Sequence, residues 1–221
     1  MQLPETFLEQ MKLLLGTDYD AWLESYDKKP LAGLRFNTAK THTDEWEGML
    51  SPFALRRVAW TKNGYYIGED AKASRHPYYY AGLYYLQEPS AMAPAAVLPV
   101  CPGDKVLDLC AAPGGKSTEL GARLQGEGLL VSNDISNSRA KALKNLELFG
   151  IPNICVTSET PEKLASVFGP YFDKILVDAP CSGEGMFRKD PDLIKSWLER
   201  GPEYYAPIQR QILKSAAAML K

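Results

Sequence analysis

Apolar residues recur at helical spacing from the start of the chain. Phe7, Leu8, Met11, Leu14 and Leu15 share one face, Pro4 can open the helix and Gly16 can end it. A second short helix is predicted at 21–26. The runs Leu34-Arg35-Phe36-Asn37 and Arg57-Val58-Ala59-Trp60 read as strands, and Asn63-Gly64 marks a hairpin turn before Tyr65-Tyr66-Ile67. Residues 1 to about 75 therefore read as a small α+β domain.

Beyond residue 100 the pattern changes to short apolar strands alternating with helices. Strands are predicted at 106–109, 129–131, 154–156 and 174–177. A helix follows the first strand, from Ser117 to about Leu124. Another is capped by Ser136, presents Ala140, Leu143, Leu146 and Phe149 inward and ends at Gly150. Such alternation argues for an α/β fold with a parallel sheet covered on both faces, over residues 76–221. The last helix is predicted at 204–221. Four parallel strands are few for a doubly wound sheet, and a strand ordinarily follows such a helix, so the pattern reads as the N-terminal part of a longer protein.

Composition narrows the class. The 221 residues are 45% hydrophobic and 24% charged, as in an ordinary globular protein. No apolar run approaches the roughly 20 residues of a membrane span, and the N-terminus lacks the pattern of a signal peptide. Cys101, Cys110, Cys155 and Cys181 form no Cys-x-x-Cys pair and there are two histidines, which argues against a metal site. Free thiols without a secretion signal point to the cytoplasm. The net charge of −2 hides a local basic excess: residues 28–75 carry nine basic and five acidic side chains. That excess suits phosphate contact, although a solvated surface of mixed charge is the plainer reading.

The chemistry concentrates in two loops. The first predicted strand of the parallel sheet runs into Asp108-Leu109-Cys110-Ala111-Ala112-Pro113-Gly114-Gly115-Lys116-Ser117. A glycine turn between strand and helix serves a ligand at the C-terminal edge of a sheet. Three ligand classes compete. A dinucleotide needs Gly-x-Gly-x-x-Gly, which is absent. A phosphate loop needs Gly-x-x-x-x-Gly-Lys-Ser; Gly115-Lys116-Ser117 fits, but Cys110 stands at the first glycine. S-adenosylmethionine needs a tight glycine loop and a carboxylate after the second strand for the ribose hydroxyls. Asp134 holds that place, with a helix-capping turn as its plainer role.

The second loop is Asp178-Ala179-Pro180-Cys181-Ser182-Gly183-Glu184-Gly185, at the end of the fourth strand. It puts a thiol where covalent chemistry is possible, for which a nucleotide triphosphatase has no evident use.

Residues 108–116 and 178–185 together resemble the two signature motifs of the Nol1/Nop2/Sun RNA 5-methylcytosine methyltransferases. The run Met186-Phe187-Arg188-Lys189-Asp190-Pro191 is most similar to the bacterial RsmF branch, which acts on ribosomal RNA. Leu34-Arg35-Phe36-Asn37-Thr38 and Leu86-Gln87-Glu88-Pro89-Ser90-Ala91-Met92 also resemble family segments, so the likeness covers nearly the whole chain.

The resemblance implies a Rossmann-like methyltransferase fold and methyl transfer from S-adenosylmethionine to carbon 5 of a cytosine in RNA. It implies that Cys110, Ala111, Ala112, Pro113, Gly114, Gly115 and Lys116 cradle the methionine moiety. Asp134 then holds the ribose, Arg139 supports the site, and Asp178 sits between cofactor and cytosine. Cys181 assists product release. The family's nucleophile lies in a Thr-Cys pair, and these 221 residues contain none, so poor turnover is expected of this chain, with Cys181 as a second-ranked substitute.

On the substrate side, Arg188 and Lys189 are the best-placed phosphate contacts. Arg35, Arg56, Arg57, Lys62, Lys72 and Arg75 are weaker ones. Tyr78, Tyr79, Tyr80, Tyr84 and Tyr85 offer stacking surfaces, with packing between domains as the preferred reading. A phosphate-loop NTPase and a non-catalytic RNA-binding module remain as alternatives.

Overall fold

The computed structural model describes residues 3–42, 45, 46, 48, 53, 56–68 and 70–221. The chain divides into two compact units. One joins Met1–Pro30 to Pro180–Gln211; the other holds Leu31–Ala179 and Ile212–Lys221.

The smaller unit contains helix α1 (Glu5–Leu15), helix α2 (Tyr19–Glu24), helix α8 (Leu193–Glu199) and the first part of helix α9 (Pro202–Met219). Phe7 makes edge-to-face contacts with Trp22, Phe187 and Trp197, at centroid distances of 5.7, 5.2 and 5.6 Å. Such pairs add to the gain from burying the rings. Glu184 accepts from Trp197 Nε1 at 2.8 Å, and Arg188 donates to the Ser25 carbonyl at 2.6 Å.

The larger unit contains two sheets. The first is antiparallel, in the order β2-β3-β1-β4, from β1 (Ala32–Phe36), β2 (Arg56–Arg57), β3 (Gly64–Ile67) and β4 (Tyr84–Leu86). The expected hairpin is present: Arg57 pairs with Tyr65 and Arg56 with Tyr66. Strand β4 pairs with β1 through Leu34 and Leu86, so the boundary expected at residue 75 falls inside this sheet. Leu34, Phe36, Trp46, Tyr65 and Tyr84 form its core. Short helices α3 (Pro77–Tyr80) and α4 (Ala93–Val97) flank β4 in sequence.

The second sheet is parallel, in the order β7-β6-β5-β8, from β5 (Lys105–Asp108), β6 (Leu129–Asn133), β7 (Ile154–Thr157) and β8 (Lys174–Leu176). These are the four strands that the apolar runs predict. Alternation along β5 fills both faces. Val106 packs with Leu120 and Leu124 of helix α5 (Gly115–Leu124). Leu107 packs with Leu164 of helix α7 (Pro161–Phe168) and with Ile212, Ala216 and Met219 of α9.

The helix expected from Ser136 to Gly150 is α-helical only over α6 (Asn137–Ala140) and continues as a 3-10 helix, Lys141–Leu146. The reason lies in the pattern itself. Ala140, Leu143, Leu146 and Phe149 repeat every three residues, which is the period of a 3-10 helix, and all four are buried.

Candidate active site

The parallel sheet runs outward from β5 through β6 to β7, then returns to place β8 on the other side of β5. That reversal is a topological switch point, where ligands bind outside the carboxyl ends of the strands. Asp108 pairs with Ser132 on one side and Leu176 on the other, so the loops after β5, β6 and β8 leave the sheet at one edge. Of the residues predicted for the site, 110–116, Asp134, Arg139 and Asp178 belong to this unit. Cys181 lies in the smaller unit, exposed, two residues after Ala179.

The loop after β5 is held from beneath. Ser117 donates to Asp108 Oδ2 at 2.7 Å and lies within 2.9 Å of Ser132 Oγ. Asp108 is fully buried, and its other oxygen meets no hydrogen-bond partner among the described residues. Burial raises its pKa to about 6 against the opposing pull of Ser117 and Lys116; Asp178 and Asp134 raise it further. Burial likewise pushes the Cys110 thiol up to about 11, helped by the nearby Asp108, Asp134 and Asp178. A raised pKa disfavours the thiolate, which is the reactive form.

Above this base the Ala112–Pro113 peptide is cis and Gly114 has φ 110°, a conformation that favours glycine. Gly114 caps α5 without a side chain, so the first amides of that helix have no side-chain cap. Lys116 Nζ donates to Asp178 Oδ2 at 2.6 Å, which links the start of α5 to the residues after β8.

The β6 side is built around Asp134 and Asn133. Asp134 is 2% exposed; Oδ1 accepts from Ser136 N at 3.0 Å, and Oδ2 lies 3.4 Å from Arg139. The turn-forming role is therefore real, and the carboxylate also faces a cation. Arg139 donates in addition to the Ala112 carbonyl at 2.9 Å, which joins the two loops.

Asn133 is the residue that sequence reasoning missed. Its Nδ2 donates to the carbonyls of Leu109 and Glu159, and its Oδ1 accepts from Thr157 Oγ1 and Glu159 N, all within 3.1 Å. It ties the glycine loop to the end of β7. The only signal in the sequence is a polar residue ending an apolar strand.

The side chains that the sequence offers to a substrate fare unevenly. Arg35 is 3% exposed and is engaged with Glu119 at 3.0 Å, so it is not free to meet phosphate. Arg56, Lys62, Lys72 and Arg75 are exposed, and Arg56 stacks on Tyr66 at 4.3 Å. Arg188 holds Ser25, while Lys189 is exposed. Tyr84 is fully buried and donates to the Ala73 carbonyl; Tyr78, Tyr79 and Tyr85 are half-buried, which favours packing, and Tyr80 is exposed.

The family profile described as the N-terminal domain of 16S rRNA methyltransferase RsmF matches residues 3–89, and that described as 16S rRNA methyltransferase RsmB/F matches residues 95–221. The chain belongs to the RsmB/F family of 16S rRNA methyltransferases. Ribosomal RNA small subunit methyltransferase F of Escherichia coli O127:H6 is 34% identical over 230 residues, and that of Escherichia coli O1:K1 is 33% identical over 230. Each match covers 99% of this chain and 48% of the relative, so the chain spans about half the length of these relatives. Among solved structures, PH0851 is 28% identical with a TM-score of 0.90, covering 99% of this chain and 51% of that one. A methyltransferase homologue from Pyrococcus horikoshii is 28% identical with a TM-score of 0.77, covering 99% and 74%. NSun6 from Pyrococcus horikoshii with SFG, at 20% identity, TM-score 0.82 and coverage of 99% and 80%, shares the fold. The Rossmann-like methyltransferase fold of this RsmB/F chain is thus shared with its relatives. No helix of the described residues is long and apolar enough to cross a membrane, and no group of His, Cys, Asp or Glu among them is arranged to hold a metal ion.

Proposed function

We propose that this chain binds S-adenosylmethionine at the C-terminal edge of β5 and β6, and that the protein methylates carbon 5 of a cytosine in ribosomal RNA. The observation that carries the reading is the joining of the glycine loop to Asp134 through Arg139, at the switch point of a methyltransferase sheet. The residues suit the cofactor. The uncapped first amides of α5 suit a carboxylate, Asp134 suits a pair of ribose hydroxyls, and the unpartnered oxygen of Asp108 suits a ligand that carries positive charge. In this reading residues 110–116 hold the methionine part and Arg139 steadies both loops. When bound, the cofactor supplies an electrophilic methyl group on a sulfonium.

Carbon 5 of cytosine is a weak nucleophile until a thiolate adds to carbon 6, and the product forms when the carbon 5 proton leaves and the thiolate is expelled. The reaction therefore needs thiol chemistry and a group that orients the base. Asp178 serves the base edge, with Lys116 setting its orientation. Cys181 assists the final elimination. Cys110, half-buried and with its pKa raised, takes no covalent part. A nucleotide triphosphatase is disfavoured by Ser117, whose hydroxyl is buried on Asp108 rather than open to a metal–phosphate group.

Deleting the gene and analysing nucleosides of the small-subunit RNA tests the reading. It predicts the loss of one 5-methylcytosine. Unchanged 5-methylcytosine, or the loss of a different methylated base, overturns it.

A further inference from the structure

We propose that Arg35, on the antiparallel sheet, is a positioning residue for the cofactor loop; this rests on the S-adenosylmethionine reading above. Sequence alone offers Arg35 to phosphate. The structure buries it instead and spends its whole guanidinium on one neighbourhood. One terminal nitrogen donates to Gln87 Oε1, the other to Thr118 Oγ1, and Nε lies 3.0 Å from Glu119 Oε2.

Two of these partners reach the glycine loop. The Thr118 hydroxyl, while accepting from Arg35, donates to the Gly115 carbonyl at 3.0 Å. A chain of two hydrogen bonds thus runs from β1 to the first residue of α5. Gln87 accepts from Arg35 at one end of its amide and donates to the Ala91 carbonyl at 3.1 Å from the other. That same nitrogen lies 3.0 Å from where a Cβ on Gly115 would stand, as does Tyr85 Cε1. Arg35 therefore fixes both the floor of Gly115, through Thr118, and the wall beside it, through Gln87.

The third partner balances the charge. Glu119 also accepts from Asn63 at 2.9 Å and pairs with Arg123 at 3.1 Å, so its carboxylate is satisfied without Arg35 alone. Arg123 turns away from the loop and donates to the carbonyls of Leu98 and Ala96. The network has a loop side, through Thr118 and Gln87, and a far side, through Arg123. The planar fork of arginine suits the loop side because it serves three acceptors in fixed directions, which a lysine cannot do. The small sheet is on this view part of the cofactor site rather than an appended module.

The test compares S-adenosylmethionine affinity by calorimetry, thermal unfolding, and amide exchange of the ligand-free chain in four proteins. These are the parent, Arg35→Lys, Thr118→Val and Arg123→Met. Arg35→Lys keeps a charge for Glu119 and Thr118→Val leaves the ion pair intact. Both are expected to lose affinity by about tenfold and to exchange the Gly115 and Lys116 amides faster. Arg123→Met is expected to lower the unfolding temperature with affinity unchanged. Parent-like affinity in folded Arg35→Lys and Thr118→Val overturns the role of Arg35. So does an equal loss of affinity in Arg123→Met, which would make the effect one of general stability. Failure of the parent itself to bind overturns the cofactor reading, and this inference falls with it.

Discussion

Lys116 Nζ donates to Asp178 Oδ2 at 2.6 Å, which joins the first turn of α5 to the residues that follow β8. The pair spans the switch point of the sheet. Lysine is 17% exposed and the carboxylate 56%, so water screens the attraction. Stability gains little from it, less than about 1 kcal/mol. Its value is geometric, because it holds a carboxylate at the carboxyl edge of the sheet.

Asp178→Asn should therefore melt like the parent yet fail in function. Reintroduced into a deletion strain, it is expected to restore 5-methylcytosine at least about 100-fold more slowly than the unaltered gene, the scale of a lost acid–base or orienting group. Rapid restoration would remove Asp178 from the mechanism.

The fully buried Asp108 makes stability depend on pH in an unusual direction. Its folded pKa, about 6, stands above the unfolded value, so the native state holds the proton more tightly. The stability it contributes is complete below the unfolded pKa and is lost as pH rises through the folded one. Denaturant unfolding at pH 5 and pH 8 should show this group costing on the order of 1–2 kcal/mol between them. In Asp108→Asn that part of the pH dependence should vanish. An unchanged pH profile would show that Asp108 is not the source.

Asn133→Ala removes four hydrogen bonds at a residue 1% exposed and leaves the Glu159 amide and Leu109 carbonyl without that partner. A loss of about 2–4 kcal/mol is expected. Chemical denaturation measures it, and a loss under about 1 kcal/mol would mean that water replaces the side chain freely.

A Cβ at Gly121, in the middle of α5, would stand 2.6 Å from Ile151 Cδ1. Helix propensity alone favours alanine there, but the contact opposes it. Gly121→Ala should destabilise by about 1–3 kcal/mol, and Ile151→Val in the same chain should return part of that. A stabilised single variant would show that Ile151 moves aside at no cost.

Much of this was legible from local pattern. The apolar runs at 106–109, 129–131, 154–156 and 174–177 fall on the four parallel strands; the signal is plainest for β5 and β6, which are buried almost throughout and so read as continuous apolar runs. The glycine loop was legible too, since Gly114 occupies a φ that other residues avoid. Strand β4 was not. Tyr84-Tyr85-Leu86 lies amid aromatic residues that read equally as stacking surface, and only its pairing with β1 makes it a strand. Arg35 and Glu119 were also beyond reach. They are 84 positions apart by number, and nothing local distinguishes an arginine that meets a buried glutamate from one that meets solvent. The spacing of three from Ala140 to Phe149 is visible, but residues three apart also share one face of an α-helix, so the pattern alone does not select the 3-10 form.

The most direct test of the central claim is calorimetric titration of this chain with S-adenosylmethionine, with Mg-ATP in a parallel cell and Asp134→Ala as the control. Binding of S-adenosylmethionine by the parent, its loss in Asp134→Ala, and no heat from Mg-ATP are the predicted results. Binding of Mg-ATP, or no binding of S-adenosylmethionine by a folded parent, would contradict the account.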